Sequence, residues 1–412
     1  METERIDYMI GLKDHHFENL NAPDKLKRLD ALRELKLMCD TSALDAPITG
    51  VNVNNHIHTT FSFSPYSPTK AVFMSWLSGL ATTGIMDHDS VGGAEEFIEA
   101  GKIIDMPVTV GFELRCSMAD TPFDGKRINN PDQSSVVYLA MHGIPHQMLG
   151  EAEKFLAPYR EKRNVRNWKM VDKLNNIIKP YGLELDFNND VLPLSQYHSG
   201  GSVTERHILY ALAAKITGSE MSKNFLLGVF KSQLVESFYV DAVEELPHIT
   251  DFIALSKKLG AIPAYAYLGD VGVSVTGDKR RQKFEDAYLD ELIEYLVKIG
   301  MRAVTYMPAR NTDNQLSRIK SLCEVNDLFQ ISGEDINSPL QKFICDKIET
   351  PEFMHLIDSA WALVGHEIVS KQDITEGMFS AQTEARLPEL EERIKYFANF
   401  AKDKYSYKRK VK

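Results

Sequence analysis

Short apolar segments that end in histidine or carboxylate recur along the first 340 residues of the chain. Four of these segments end at the following residues: His56 with His58, Asp87 with His88, Glu113, and Asp335. The stretches after the first two, over 68–80 and 94–104, have apolar positions spaced as on one face of a helix. Strands that alternate with helices form a parallel sheet, and polar side chains at the carboxyl ends of successive strands are typical of the mouth of a β/α barrel. The pattern therefore predicts an α/β barrel with a polar mouth.

Regions outside this alternation set the expected domain organisation. Residues 1–45 form an N-terminal helical segment, 46–340 the barrel with a helical insertion at 147–230, and 341–412 a C-terminal helical extension. Leucines form a roughly helical stripe in the first region: Leu26, Leu29, Leu32, Leu35 and Leu37. This stripe either packs the segment on the barrel as an extra helical layer or binds a partner. A polar loop at 116–135 is long for a barrel connection and is a candidate lid or covering loop.

The composition is that of an ordinary globular protein, with 43% hydrophobic and 25% charged residues among 412. A net charge of −11 argues against binding of long duplex nucleic acid, but it allows a small phosphorylated substrate held by a few arginines and a metal. Four cysteines without a CxxC spacing indicate free thiols in a reducing compartment, so we expect a cytoplasmic protein. The charged start lacks the apolar core of a signal peptide, and no apolar run is long enough to span a membrane. The sequence gives no indication of an oligomeric state.

The pair His56 and His58 is the first candidate for metal binding. Residues one apart at the end of a strand lie on the same face, and two imidazoles placed in this way are a compact ligand pair. A hydrogen-bonded pair of surface or core histidines is the alternative for this spacing taken alone. The further imidazole and carboxylate endings downstream favour metal binding, because four such endings are hard to explain as satisfied core residues.

The order of four short motifs resembles the PHP (polymerase and histidinol phosphatase) superfamily. The motifs are HIH, MDHDSVGGAEE, GFE and SGEDIN, and they keep the family's order over roughly residues 50–340. The resemblance implies a distorted seven-stranded β/α (TIM-like) barrel that binds up to three divalent metals and hydrolyses phosphate esters. It is closest to the branch that acts on nucleoside bisphosphates and short oligonucleotides.

The resemblance also implies a set of metal ligands, and the sequence keeps only part of the family's set. One complete metal site is kept by these residues: His56, His58, Glu113 and Asp335. Two imidazoles and two carboxylates suit Zn²⁺, Mn²⁺ or Fe²⁺. Aromatic or neutral residues stand at other ligand positions of the family: Phe63, Tyr138, Tyr267 and Asn337. We therefore expect one strong metal site and a doubtful second one.

Two of these departures leave alternatives open. Tyr138 and Tyr267 either line the mouth as hydroxyl donors or block the vacated sites. His142 either replaces the lost histidine of the fourth strand, since positions 138 and 142 share a strand face, or lies in a loop.

The helical insertion carries the residues expected to bind phosphate. A basic helix over 159–169 precedes an Arg-His pair at a helix start, as in the insertion of the nucleotide-hydrolysing branch. The resemblance assigns phosphate binding to Arg163 (or Arg160), Arg206 and His207. Guanidinium groups and helix N-termini suit phosphate physically, although a basic helix face is otherwise most often solvated.

These expectations combine into a functional prediction. We expect a metal-dependent phosphoesterase that hydrolyses a small phosphorylated substrate, a nucleotide or a sugar phosphate, with metal-activated water. His88 or Asp87 would assist proton transfer, and a weak second-site metal ligand is the alternative role for His88. Two alternatives stay open: another metal-dependent hydrolysis on the same barrel, such as of an amide or lactone, and a degenerate, non-catalytic metal- or phosphate-binding protein.

Overall fold

Seven strands form a single sheet in the part of the chain that the structure describes. The computed structural model describes residues 14–272, 281–339 and 341–407. The strands are β1 (Val53–Ile57), β2 (Thr82–His88), β3 (Val108–Ser117), β4 (Val136–His142), β5 (Ile262–Ala266), β6 (Ala303–Tyr306) and β7 (Phe329–Ser332). Hydrogen-bonded neighbours follow the order of the chain from β1 to β7.

The strand β4 runs against its neighbours. Pairs β1–β2, β2–β3, β5–β6 and β6–β7 are parallel, whereas β4 is antiparallel to both β3 and β5. The expectation of a parallel barrel is therefore wrong at this strand. A parallel pair needs a long crossover, usually a helix, and residues 118–135 between β3 and β4 contain none. The start of β4 consequently faces the same end of the barrel as the carboxyl ends of its neighbours.

The sheet closes where β1 meets the chain after β7. The backbone N–H of His58 donates to the carbonyl of Ile336 (2.9 Å), and the N–H of Ile336 donates to the carbonyl of His56 (3.1 Å). The side-chain amides of Asn54 and Asn55 add bonds to carbonyls beyond β7 and at its end. The distorted seven-stranded TIM-like barrel expected from the sequence is thus confirmed.

Fourteen helices surround this barrel within the described ranges. They are α1 (Asp14–Asn19), α2 (Lys25–Asp40), α3 (Pro68–Leu77), α4 (Ala94–Ile103), α5 (Leu149–Ile178), α6 (Glu205–Ile216), α7 (Glu220–Gln233), α8 (Val235–Phe238), α9 (Ile249–Leu259), α10 (Leu289–Ile299), α11 (Asp313–Val325), α12 (His355–Ser370), α13 (Ala381–Arg386) and α14 (Leu390–Lys404). None of them is both long enough and apolar enough to cross a bilayer.

The N-terminal helix α2 packs on the helices outside β1 and β2. Its leucines Leu29, Leu32 and Leu35 are buried, whereas Leu26 is 66% and Leu37 61% exposed, so the predicted leucine stripe is wrong at its two ends. The three buried positions are spaced by three residues and share one helix face, which the outer two do not. The segment therefore forms an extra helical layer over α4.

Two further helical elements shape the barrel ends. The long helix α5 leads a helical region between β4 and β5 and lays three buried arginines toward the mouth: Arg160, Arg163 and Arg166. At the opposite end, α12 packs against apolar residues at the amino ends of the parallel strands. The helix α12 thus covers the barrel end at the amino ends of the parallel strands, whereas charged side chains lie at the opposite end.

Candidate metal centre and active-site cavity

Two imidazoles and a carboxylate converge at the barrel mouth. One ligand atom from each of His56, His58 and Glu113 lies within 4.8 Å of the others, and all three residues are buried. Asp335 joins from the chain after β7, with Oδ1 3.3 Å from Nε2 of His58. The structure thus brings three of the four expected metal ligands into one cluster and places the fourth against its edge.

Strand register explains how distant residues meet here. His56 lies in β1 and His58 directly follows it, and their ring centroids are 5.1 Å apart. Parallel pairing of β2 and β3 sets His88 opposite Glu113. Closure of the barrel then requires Gly333 beside His56, because a Cβ at that glycine would lie 2.5 Å from the Cβ of His56.

Hydrogen bonds behind the cluster fix the orientation of His58. The hydroxyl of Ser62 lies 3.3 Å from Nδ1 of His58 and donates to Oδ1 of Asp87 at 2.7 Å. Asp87 also accepts from the backbone N–H (2.7 Å) and the hydroxyl (2.6 Å) of Thr59. Nδ1 is therefore turned toward the loop and Nε2 toward Asp335. Asp87 is buried in this network and holds the loop after β1 in place.

His88 sits between the cluster and the cavity. Its Nδ1 lies 3.0 Å from Oε2 of Glu113, and its ring centroid is 4.6 Å from that of His58. A carboxylate beside Nδ1 favours the tautomer with the proton on that nitrogen. Nε2 of His88 is then left as a proton acceptor.

The charges of the cluster favour a bound cation. Burial would raise the pKa of the Glu113 carboxyl, but His88 and His56 hold this pKa well below its usual range. Burial would likewise raise the pKa of Asp335, and His58 outweighs it. The pKa of His58 itself is lowered by burial. Burial would also lower the pKa of His56, but Glu113 and Asp335 raise it, so a metal would displace a proton from this ring. Ionised carboxylates and imidazoles, held close together and out of water, are the donor set that a divalent transition metal takes. The residues present therefore fit a metal.

Arg310, on the loop after β6, is a charged neighbour that the sequence did not single out. Its positive charge helps to lower the pKa of Asp335 and opposes protonation of His56. No motif marks this arginine, because only the closed barrel brings its loop to the cluster.

A small, open cavity adjoins the cluster at His58. Its walls are His58, Phe63, His88, Tyr138, Arg163, Thr204, Glu205, Arg206 and Asn337. Of the residues expected in catalysis or phosphate binding, His88, Arg163 and Arg206 line this cavity. The structure therefore places one metal-ligand candidate, His58, and two arginines from the insertion around one space.

His207 and Tyr267 do not line the cavity. Nδ1 of His207 accepts a hydrogen bond from the backbone N–H of Thr204 (3.0 Å), in a capping box at the start of α6. Burial lowers the pKa of His207 to about 3, which keeps it neutral. The hydroxyl of Tyr267 donates to Asp286 at 2.7 Å. Of the two tyrosines expected at the mouth, Tyr138 is thus the one found there.

Asn337, another of the four family positions, contacts a candidate metal ligand. Its side-chain amide donates to Oδ1 of Asp335 at 2.5 Å. Asn337 thereby replaces a ligand-type residue with one that positions its neighbour.

His142 lies in β4, so the loop alternative is wrong. Because β4 is antiparallel, His142 stands at the strand end away from the mouth, opposite Ile262. Within the described residues its buried Nε2 has no hydrogen-bond partner, and burial lowers its pKa to about 3.

Asp89 connects the cluster to the insertion, and sequence reasoning missed it. Its carboxylate accepts from Arg163, its carbonyl accepts from Arg160 (3.1 Å), and its N–H donates to the carbonyl of Glu113 (2.8 Å). It adopts a left-handed backbone conformation with φ of 52°, which is uncommon for a residue other than glycine. Asp89 directly follows His88 in the sequence, and this position could have marked it as a candidate site residue.

Comparisons with known proteins support the barrel architecture. No family model matches the sequence, and no curated protein matches it. Among solved structures, a proposed metal-dependent phosphoesterase from Bifidobacterium adolescentis is similar over 77% of this chain and 98% of its own, with a TM-score of 0.56 and 19% identity. An amidohydrolase from Chromobacterium violaceum is similar over 75% of this chain and 96% of its own, with a TM-score of 0.55 and 16% identity. At these identities the likeness shows a shared barrel fold.

Proposed function

We propose that this protein is a metal-dependent phosphoesterase that hydrolyses a small phosphorylated substrate, a nucleotide or a sugar phosphate. The observation that carries the proposal is the shared cavity. His58 of the metal-ligand cluster lines it together with His88, and so do two arginines, Arg163 and Arg206. A small cavity with these groups suits a compact anion better than a polymer.

His56, His58, Glu113 and Asp335 would hold one divalent metal, of the Zn²⁺, Mn²⁺ or Fe²⁺ type. Bound there, the metal supplies Lewis acidity, which polarises a phosphoryl oxygen and makes water acidic enough to attack at neutral pH. Asp87, Ser62 and Thr59 keep His58 in the orientation that the site needs. We therefore assign Asp87 a positioning role and leave proton transfer to His88.

His88 is placed to move a proton in the cavity. Its Nδ1 is engaged by Glu113, so Nε2 can take a proton from an attacking water and return it to the leaving group. Arg206, at the start of α6, and Arg163, on α5, neutralise phosphate oxygens. His207 supports this arrangement by capping the helix that carries Arg206.

The descriptions of the two similar structures agree with this chemistry. One is of a proposed metal-dependent phosphoesterase. The other is of an amidohydrolase with bound sulfate, which is a tetrahedral oxyanion like phosphate. The same amidohydrolase, whose structure holds sulfate and no metal, supports hydrolysis of an amide as the second candidate function.

Metal content of protein purified without added metal tests the proposal first. We expect about one equivalent of a transition metal, lost in His58→Ala and kept in His198→Gln, which alters an exposed histidine far along the chain. The metal-loaded protein should then hydrolyse members of a panel of nucleotides and sugar phosphates. Metal without phosphate hydrolysis would favour the amide reaction, and absence of metal from both proteins would favour a non-catalytic binding protein.

A further inference from the structure

Glu205 places a carboxylate in a cavity otherwise suited to an anion. It is the first residue of α6 and lines the cavity together with Arg163 and Arg206. Its Oε2 lies 3.6 Å from Nη2 of Arg163, beyond hydrogen-bond distance, and about a quarter of its side chain (26%) is exposed. The main hydrogen bond of Arg163 goes instead to Asp89. The carboxylate of Glu205 is therefore accessible to a bound molecule.

The charge of Glu205 creates a conflict with a phosphate. Burial would raise the pKa of its carboxyl, but Arg163 outweighs burial and keeps the group ionised. A phosphate held by Arg163 and Arg206 would lie close to this negative charge, and like charges in a poorly solvated site repel strongly. A substrate that donates a hydrogen bond to the carboxylate of Glu205 would offset this repulsion.

We propose that Glu205 selects substrates that carry a hydrogen-bond donor, an alcohol or an ammonium group, beside their phosphate. The inference rests on the proposed function for the phosphate subsite. A buried carboxylate that accepts from the correct substrate is left unpaired by an analogue without the donor, so it discriminates strongly between them. The same carboxylate disfavours inorganic phosphate and simple alkyl phosphates.

A purely structural role for Glu205 makes a different prediction. A carboxylate in the first turn of a helix stabilises the helix through its dipole. Loss of such a role would lower stability and weaken all ligands alike. Selectivity among matched ligands therefore separates the two roles.

The test is calorimetric binding to the metal-loaded full chain of three matched probes: ethyl phosphate, 2-hydroxyethyl phosphate and 2-aminoethyl phosphate. The wild type should prefer the hydroxyl and amino probes to ethyl phosphate by about tenfold or more. Glu205→Gln should lose most of this preference and bind ethyl phosphate more tightly, because the repulsion is gone. Glu205→Asp should recover part of the preference, and Glu184→Gln, an exposed glutamate of the same region, should keep all of it.

The outcomes distinguish this inference from the proposed function. An equal preference in the wild type and Glu205→Gln, with both proteins folded by thermal unfolding, would overturn the role of Glu205 and leave the phosphoesterase proposal standing. Binding with the expected preference but without turnover of any phosphate ester would support Glu205 and count against catalysis. Failure of all three probes to bind would reject both.

Discussion

At the scale of single residues, the ring of His58 is held by a chain of hydrogen bonds that ends at Asp87. Replacing Ser62 with alanine removes the link between the two side chains. We expect Ser62→Ala to weaken metal binding by about tenfold to a hundredfold, because groups that orient a ligand contribute on this scale. Competition with a chromophoric chelator measures the change.

The matched control is Ser232→Ala, since Ser232 is exposed on α7 and its hydroxyl donates to the carbonyl of Val229 in the same helix. Equal metal affinity in Ser62→Ala and the wild type would show that the loop does not orient His58.

His88 gives a second prediction at this scale. His88→Gln keeps a polar side chain near Glu113 but cannot accept and return a proton in the same way. We expect turnover to fall by about a hundredfold or more, with the metal content unchanged. Loss of metal along with activity would contradict this and make His88 a ligand.

The sequence reveals some of these residues and hides others for a physical reason. His56 and His58 are one residue apart, so their shared strand face can be read locally. Ser62 and Arg310 act through contacts with groups distant in sequence, and a single sequence contains no signal of those contacts. The candidate metal ligands are therefore predictable from the sequence here, whereas the residues that position them are not.

At the scale of elements, α12 is tied to the barrel by a buried histidine. Nε2 of His366 lies 3.0 Å from the carbonyl of Gly143 after β4, and Nδ1 accepts from the N–H of Met378 at 3.0 Å. Both ring nitrogens are used by the neutral form, so protonation would break the bond from Met378. Burial accordingly lowers the pKa of His366 to about 4.

This contact predicts a dependence of stability on pH. The folded pKa lies below the unfolded value of 6.5, so the stabilisation is complete above pH 6.5 and is lost as pH falls toward about 4. Over that window the free energy of unfolding of the wild type should fall by about 3 kcal/mol more than that of His366→Gln. Urea unfolding at about pH 7.5, 5.5 and 4.5 measures the difference in the free energy of unfolding between the two proteins.

The control is His198→Gln, which changes an exposed histidine and should follow the wild-type curve. The free energies of unfolding of His366→Gln and the wild type could instead change in parallel between about pH 7.5 and 4.5. That result would show that His366 is not the titrating group.

Element direction is where sequence reasoning failed. The pattern of β4 matches a strand, and the fourth strand expected to carry position 138 is confirmed. The direction of β4 depends on the connection that precedes it. The polar stretch before β4 has no helical periodicity, and this absence of a crossover helix could have predicted an antiparallel strand. Tyr138 reaches the mouth, and His142 does not, because of that reversal.

At the scale of the whole molecule, closure of the barrel assembles the site. Gly333 lets the end of β7 approach β1, and an added Cβ would meet the Cβ of His56 at 2.5 Å and its backbone nitrogen at 2.9 Å. Gly333→Ala should therefore destabilise the fold by about 2 kcal/mol and displace His56 enough to weaken metal binding. Denaturant unfolding and metal titration measure the two effects.

Gly150→Ala is the matched control, because a Cβ at Gly150 in α5 meets nothing within 4 Å. It should leave metal binding unchanged and stabilise the helix slightly. Equal stability and metal affinity for Gly333→Ala and the wild type would show that the closure tolerates the methyl group.

The overall architecture was accessible from sequence to a large extent. Repeated strand endings in His56, Glu113 and Asp335 gave the barrel, because each ending is local and their order follows the chain. The cavity was less accessible, since it depends on how α5 and α6 fold back over the mouth. Phosphate binding by Arg163 and Arg206 stays a prediction.

The contact between β1 and the end of β7 also determines when the barrel can close during synthesis of the chain. Asn54 and Asn55 bond to carbonyls 280 and 277 residues further along the sequence. At ribosomal rates of about 5–20 residues per second, β1 waits roughly 15–60 s for this partner. Asp335 belongs to the same late stretch, so a growing chain exposes an unclosed sheet edge and an incomplete cluster. A cation held by all four candidate ligands would therefore be bound only after Asp335 has been synthesised.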